Sequence, residues 1–196
     1  MNRYFILNKP YGFLSQFTDG LHFKGLMRLI NVPKDVYAVG RLDADSEGLL
    51  ILTNDTYLTN QILDPQFGHI RTYSVQIEGV MTECDQNKLK KGVEINNKGT
   101  KYQTLPAKIV QNLTDFKINE RNPPIRFRKH IPTSWIKLSL IEGKNRQVRK
   151  MTAAVGYPTL RLVRTAIEGI TLEKLESGRI IELPKKEIYK KLKIKL

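Results

Sequence analysis

The chain has 196 residues, is 40% apolar, and carries a formal charge of +14 with a pI near 9.9. A chain of this length buries roughly 70% of its unfolded surface without staples; the single cysteine, Cys84, excludes an internal disulfide, and no apolar run approaches the ~18 residues of a membrane span. The positive excess points to a polyanion, most simply nucleic acid, and the start Met1–Pro10 is too short in apolar residues for a signal peptide, so a soluble cytoplasmic protein is expected.

Residues 4–8 read as a first strand, stopped by Lys9-Pro10-Tyr11-Gly12. Phe13–Phe17 is a second apolar piece ended by Thr18-Asp19-Gly20, and Gly25–Ile30 reads as a short helix. Tyr37–Gly40 is a strand leading into Arg41-Leu42-Asp43-Ala44-Asp45-Ser46-Glu47-Gly48, after which Leu49–Leu52 reads as a buried strand. Asn54 or Asp55 can cap a helix reaching Leu63, broken by Pro65 and Gly68. Arg71–Gly79 alternates, with Tyr73, Val75 and Ile77 on one face. Thr82 caps a helix to Lys90 with Gly92 past its end. Val93–Ile95, Ala107–Gln111 and Leu113–Ile118 are expected strands, and 119–133, with three prolines, a surface loop. Trp135–Ile141 alternates as a strand. Asn145 is expected to cap a helix through Val155, ended by Gly156 and Pro158. A strand over Leu160–Val163, another around Arg179–Leu183 and a basic helix after Pro184 complete the chain. There is no repeat and no heptad run, and the mixture of strands and helices predicts an α+β or mixed α/β sheet.

Two stretches concentrate polar chemistry. Gly40–Glu47 holds three carboxylates and an arginine in eight residues, directly before an apolar strand that can anchor them. An acidic surface turn is the plainest account, since turns favour Asp, Ser and Gly. The spacing imitates the start of a calcium loop, but position 12, where that loop needs Glu, is Asn54. A glycosidase pair must flank a sugar bond; Asp43 and Asp45 are too close in sequence for that, and the overall charge suits no neutral glycan. One Asp acting on a nucleotide while cations hold phosphates fits the charge best. The second stretch, Glu142–Met151, crowds Lys144, Arg146, Arg149 and Lys150 at a helix start, where cations oppose the helix dipole and an anion is the natural guest. A plain basic RNA-binding face is the simpler alternative. Residues 117–150 hold ten Lys and Arg against two Glu, and the last twelve residues six Lys against one Glu. His22, His69 and His130 lack ligand spacing, so no metal site is expected.

Asn8-Lys9-Pro10, Gly40-Arg41-Leu42-Asp43, Asp45-Ser46-Glu47-Gly48-Leu49-Leu50, Glu142-Gly143-Lys144-Asn145-Arg146-Gln147-Val148-Arg149 and Leu162-Val163-Arg164-Thr165 together resemble, in order and over essentially the whole chain, the pseudouridine synthases of the RsuA branch. The opening Asn-Lys-Pro-Tyr with Gln-Phe-Thr-Asp is similar to the type E enzymes of the large ribosomal subunit. The resemblance implies an isomerase that cleaves the N1–C1′ bond of a uridine in RNA, rotates the base and rejoins it through C5, with no cofactor and no metal. It implies a single catalytic domain over 1–196, whose two subdomains can share one sheet: a mixed, mainly antiparallel sheet flanked by helices, with a central cleft. It places the essential carboxylate at Asp43, the active-site tyrosine at Tyr73, the basic partner at Arg149, and the uracil pocket at Leu162 with Arg41 as a further contact. RNA contacts are expected from Lys9, Arg126, Arg128, Lys129, Lys144, Arg146 and Lys150. The expected partner is ribosomal RNA presenting a flipped uridine, with no membrane and a monomeric enzyme. Ala44 stands where the branch commonly has Arg, and the N-terminal RNA-binding module of many relatives is not expected here. A non-catalytic RNA-binding or ribosome-assembly factor that keeps the fold is the alternative.

Overall fold

The computed structural model describes residues 1–114, 116, 118–126, 131–172 and 175–195. In chain order these form β1 (Tyr4–Lys9), β2 (Tyr37–Ala38), β3 (Glu47–Thr53), α1 (Thr56–Leu63), β4 (Arg71–Glu78), α2 (Glu83–Lys91), β5 (Glu94–Asn97), β6 (Thr100–Gln103), β7 (Ile109–Leu113), β8 (Thr133–Leu140), α3 (Gln147–Ala154), β9 (Thr159–Ile167), β10 (Ile170–Thr171), β11 (Ile180–Glu182) and α4 (Lys185–Leu192). The fold is α+β, with mixed but mostly antiparallel strand pairing. It divides into two compact units, Met1–His69 with Val163–Leu196, and Ile70–Leu162; the boundary falls within β9.

In the first unit, β1 pairs antiparallel with β3 and β11, and β3 pairs in parallel with the second half of β9. β1 and β3 are near-continuous apolar runs because both of their faces are covered. Tyr4, Ile6, Leu49 and Ile51 pack with Leu58 and Ile62 of α1 and with Ile188, Tyr189 and Leu192 of α4. Phe5, Leu7, Leu50 and Leu52 pack on the other side with Leu26, Ile30 and Val36. Each such side chain contributes about 1.5–3 kcal/mol by leaving water. Of the two expected caps, Asp55 is the one used: its carboxylate accepts from Leu58 N (3.1 Å), and also from Tyr4 Oη (2.7 Å) and Tyr189 Oη (2.6 Å). Burial pushes this carboxyl up, but the two tyrosines and Leu58 N outweigh it and hold it below the ordinary range. One side chain thus ties β1, α1 and α4 together. The helix expected over Gly25–Ile30 is only a single 3-10 turn, Leu26–Arg28.

In the second unit, β4 pairs along its whole length with β8, and β8 with β7. Tyr73, Val75, Ile77, Ile136, Leu138 and Leu140 face one core with Leu89 of α2 and Val148 and Met151 of α3. Thr82 caps α2 by accepting from Asp85 N (3.2 Å), and Gly92 ends it at φ 89°. The hairpin β5–β6 was not legible as two strands, because Lys98-Gly99 is its turn and neither strand alternates cleanly. β7 ends at Leu113, and of the strand expected over Leu113–Ile118 Asp115 and Lys117 lie outside the described residues. α3 also starts later than Asn145 suggests. Arg146 takes the left-handed conformation (φ 51°), and Gln147 reaches back from inside the helix to accept from Lys144 N (2.8 Å). The Asn145 side chain instead accepts from Lys150 Nζ (3.3 Å).

Candidate active site

The loop 40–46 is held in place from several sides. Gly40 (φ 71°) supplies the left-handed residue that turns the chain out of β2. Leu42 is buried and gripped by Ser15, which donates to Leu42 O (2.8 Å) and accepts from Leu42 N (2.9 Å). Ser46 N donates to Asp43 O (3.0 Å), closing a turn over Asp43–Ser46, and Gly12 N donates to Ala44 O (2.8 Å). The chain then enters β3 with Glu47 buried. Asp43 is half-buried at the head of this turn, and Arg41 is exposed. A carboxylate fixed by its own backbone on a strand-anchored turn is pre-organised.

Gly48 sets the geometry behind the loop. It lies between Lys9 of β1 and Arg164 of β9, at φ 108°. A Cβ there would stand 2.3 Å from Arg164 O and 2.7 Å from Arg164 N. Gly48→Ala is therefore expected to destabilise the protein by about 3 kcal/mol, from left-handed strain and overlap with backbone that cannot yield. Urea unfolding measures this, and a loss under about 0.5 kcal/mol would show that β9 can withdraw.

Lys9 corrects an expectation. Its side chain is fully buried, with 0% exposure, so it is not an RNA contact. The Nζ donates to Phe13 O (2.6 Å) and Pro10 O (3.0 Å), bracing the turn that carries Gly12. Burial pushes this amine down to about 8; Glu47, Asp45 and Asp43 pull it back up, and Arg164 adds to the lowering. Arg164 is itself buried and donates from Nε to Leu49 O (2.8 Å). A compact buried charge cluster thus lies beneath the Asp43 loop. Sequence reasoning placed none of Arg164, Ser15 or Glu47 among the site residues. An arginine inside the apolar run of β9 was the available signal for Arg164; a lone Ser15 gives none.

The remaining predicted residues belong to the second unit. Tyr73 and Leu162 are buried in one apolar cluster with Val148 and Met151. Arg149, on the first turn of α3, is half-buried and donates from Nη1 to Thr159 O (3.4 Å). Arg126, Lys144 and Arg146 are exposed, and Lys150 is half-buried. The Lys144 ammonium lies 4.9 Å from the centre of the Tyr102 ring. Arg128 and Lys129 lie outside the described residues, as does His130. Glu142, read as part of the basic motif, is a buried organiser. It accepts from Tyr102 Oη (2.7 Å), Leu105 N (2.7 Å) and Gln147 Nε2 (2.5 Å), which fixes the start of α3 against the β5–β6 hairpin. Among the described residues no three His, Cys, Asp or Glu side chains are grouped to hold a metal, and no helix is long and apolar enough to cross a membrane.

The charge is divided unevenly. Ile70–Leu162 has 18 Lys and Arg against seven Asp and Glu, so it carries +11 of the total +14. The first unit, which supplies Asp43, is nearly balanced.

Comparison with known proteins agrees with this arrangement. Residues 3–154 match the RNA pseudouridylate synthase family. A Vibrio vulnificus protein named ribosomal large subunit pseudouridine synthase E is 51% identical over 178 residues, which covers 91% of this chain and 74% of that one. A Xanthomonas axonopodis pv. citri protein of the same name is 46% identical over 171 residues, covering 87% and 88% of the two chains. A crystal structure of a pseudouridylate synthase superposes with a TM-score of 0.78 at 28% identity, over 97% of this chain and 74% of that one. With the match spanning the braced Asp43 loop and the basic second unit alike, the chain belongs to the RNA pseudouridylate synthase family.

Proposed function

We propose that this pseudouridine synthase isomerises a uridine of large-subunit ribosomal RNA, and that Asp43 is the group that reacts. The observation that carries the reading is the fixed turn Asp43–Ser46, braced by Ser15, Gly12 and β3, in a chain about half identical to enzymes named for that RNA. An ionised carboxylate at the head of that turn serves either as nucleophile at C1′ or as base toward the sugar. The uracil must leave its stack to be reached, at a cost of a few kcal/mol that cationic contacts to the backbone offset. The +11 of the second unit suits that task. Tyr73 supplies an aromatic face for the base, Leu162 apolar lining, and Arg149 a cation for the reaction, while Arg41, Arg126, Lys144, Arg146 and Lys150 meet the RNA. The enzyme works as a monomer, with no cofactor.

Mapping pseudouridine in large-subunit RNA from cells with and without this protein tests the reading. One position should lose its modification and regain it when the purified chain is added. An unchanged map in both directions refutes the activity and leaves an RNA-binding factor. Arg149→Ala separates two roles within the proposal. Turnover should fall about 100-fold or more while RNA affinity changes less than about threefold, because one phosphate contact is one among many. Equal losses in both would make Arg149 a plain RNA contact.

A further inference from the structure

The second unit contains a cavity that none of the reaction chemistry uses. It encloses about 540 Å³, within the range of small-ligand sites. Its floor comes from the face of β4 and β8 opposite the core, where Gln76 and Trp135 are register partners. That face otherwise carries Thr72, Ser74, Lys137 and Ser139, so the one tryptophan of the chain is out of character there. Its walls come from Phe116, Ile118, Glu120, Arg121, Pro124 and Ile125 and from Arg161 of β9. Phe116 lies 5.0 Å from the Trp135 ring, centre to centre, tilted by 58°. The Arg161 guanidinium is 5.9 Å from the same ring and donates to Asn119 O (2.8 Å), which holds the covering segment over the floor. Arg121 stands at the rim and donates to Pro123 O (2.8 Å) and Pro124 O (3.3 Å), which shapes that segment.

The lining combines two aromatic rings, two arginines, one amide, one carboxylate (Glu120) and the aliphatic Ile118, Pro124 and Ile125, in the unit that carries most of the positive charge; rings for stacking and cations for a phosphate are what an unpaired nucleotide requires. Besides bonding the covering backbone, the two guanidinium groups suit an anionic group, and the two rings suit a planar one. We propose that this cavity binds one unpaired nucleobase of the RNA, stacked against Trp135 and Phe116, with Arg121 toward the adjoining phosphate and the Gln76 amide toward the base edge. It is a capture subsite whose lining includes no residue of the Asp43 loop, and it helps choose the RNA. The inference rests on the RNA reading above and adds to it where the RNA is held.

Trp135 is the only tryptophan, so its emission reports on the cavity directly. The wild-type chain is titrated with a short single-stranded oligoribonucleotide and, separately, with an abasic chain of equal length and charge. Binding is followed in parallel by anisotropy of the labelled strand. Saturable quenching by the first and not by the second is expected. Trp135→Leu should weaken binding of the oligoribonucleotide about tenfold and leave the abasic chain unaffected, while Trp135→Phe keeps most of the affinity. Circular dichroism and thermal melting check that both variants fold. Binding without quenching, or equal responses to the two strands, overturns the subsite. Pseudouridine formation by the same wild-type preparation keeps the claims apart. Product without quenching sinks the subsite alone, and quenching without product sinks the proposed activity alone.

Discussion

Asp43→Asn is expected to stop pseudouridine formation, by at least about 10³-fold, while the folded protein and its RNA affinity stay close to wild type. The exchange is nearly isosteric, and Asn is as welcome in a turn as Asp. The turn itself does not depend on the carboxylate: Ser46 N bonds the Asp43 carbonyl, and Leu42 is gripped by Ser15. Among the carboxylates acting on Lys9, Asp43 is the weakest, after Glu47 and Asp45. Its loss therefore disturbs the buried cluster least, and a stability change within about 1 kcal/mol is expected. Asp45→Asn is the internal control. It removes the same charge two residues away, on the same turn, and should cost less than about tenfold in rate. Single-turnover tritium release from a ribosomal RNA transcript reads the chemistry, and anisotropy reads the binding. An Asp43→Asn enzyme within about tenfold of wild type, or an Asp45→Asn enzyme equally dead, would move the reacting group elsewhere.

What could be read from the sequence divides along physical lines. β1 and β3 were legible because two-sided burial leaves uninterrupted apolar runs, and α1 and α2 because Asp55 and Thr82 are caps of ordinary type. The start of α3 was not, since the helix begins after a left-handed Arg146 with no side-chain cap, and Gln147 instead ties back to Lys144 N, which no rule of linear spacing indicates. Of the hairpin β5–β6, the first strand was read in part, at Val93–Ile95, and the second escaped for want of alternation. At the candidate site Asp43, the carboxylate proposed to react, stood out through its motif. Its support did not: Ser15 reaches Leu42 across 27 residues, and Arg164 reaches Leu49 across 115. Lys9 shows the commonest error of such reading. A lysine in a basic chain is presumed to face the polyanion, and only the three-dimensional surroundings reveal that this one faces inward.

That inward ammonium has a thermodynamic consequence. In the unfolded chain Lys9 titrates near the ordinary lysine value of 10.5; in the fold burial lowers it to about 8. Between these values the unfolded chain holds a proton that the folded chain has released, so stability contributed by this group rises with pH through that window. Below about pH 8 both states are charged, and the fold bears the full cost of burying the charge, on the order of 3 kcal/mol. Lys9→Met keeps the length of the stem and removes the titration. The wild type should gain about 2 kcal/mol relative to this variant between about pH 7.5 and about pH 10. Parallel stability curves in urea would show that Lys9 titrates as an ordinary surface lysine. The variant also tests why such a costly group is placed here. Its Nζ holds the carbonyls of Pro10 and Phe13, and the turn between them donates Gly12 N to Ala44 O, beside Asp43. Without that brace the carboxylate loses its fixed position, and misplacement by about 1 Å costs about 10²-fold in rate. Lys9→Met should therefore lower turnover by about that factor with RNA affinity unchanged, and the wild-type rate should fall as the pH passes about 8, where the ammonium and its hold on the carboxylates are lost. A variant with wild-type turnover would leave Lys9 a structural lysine with no part in positioning Asp43.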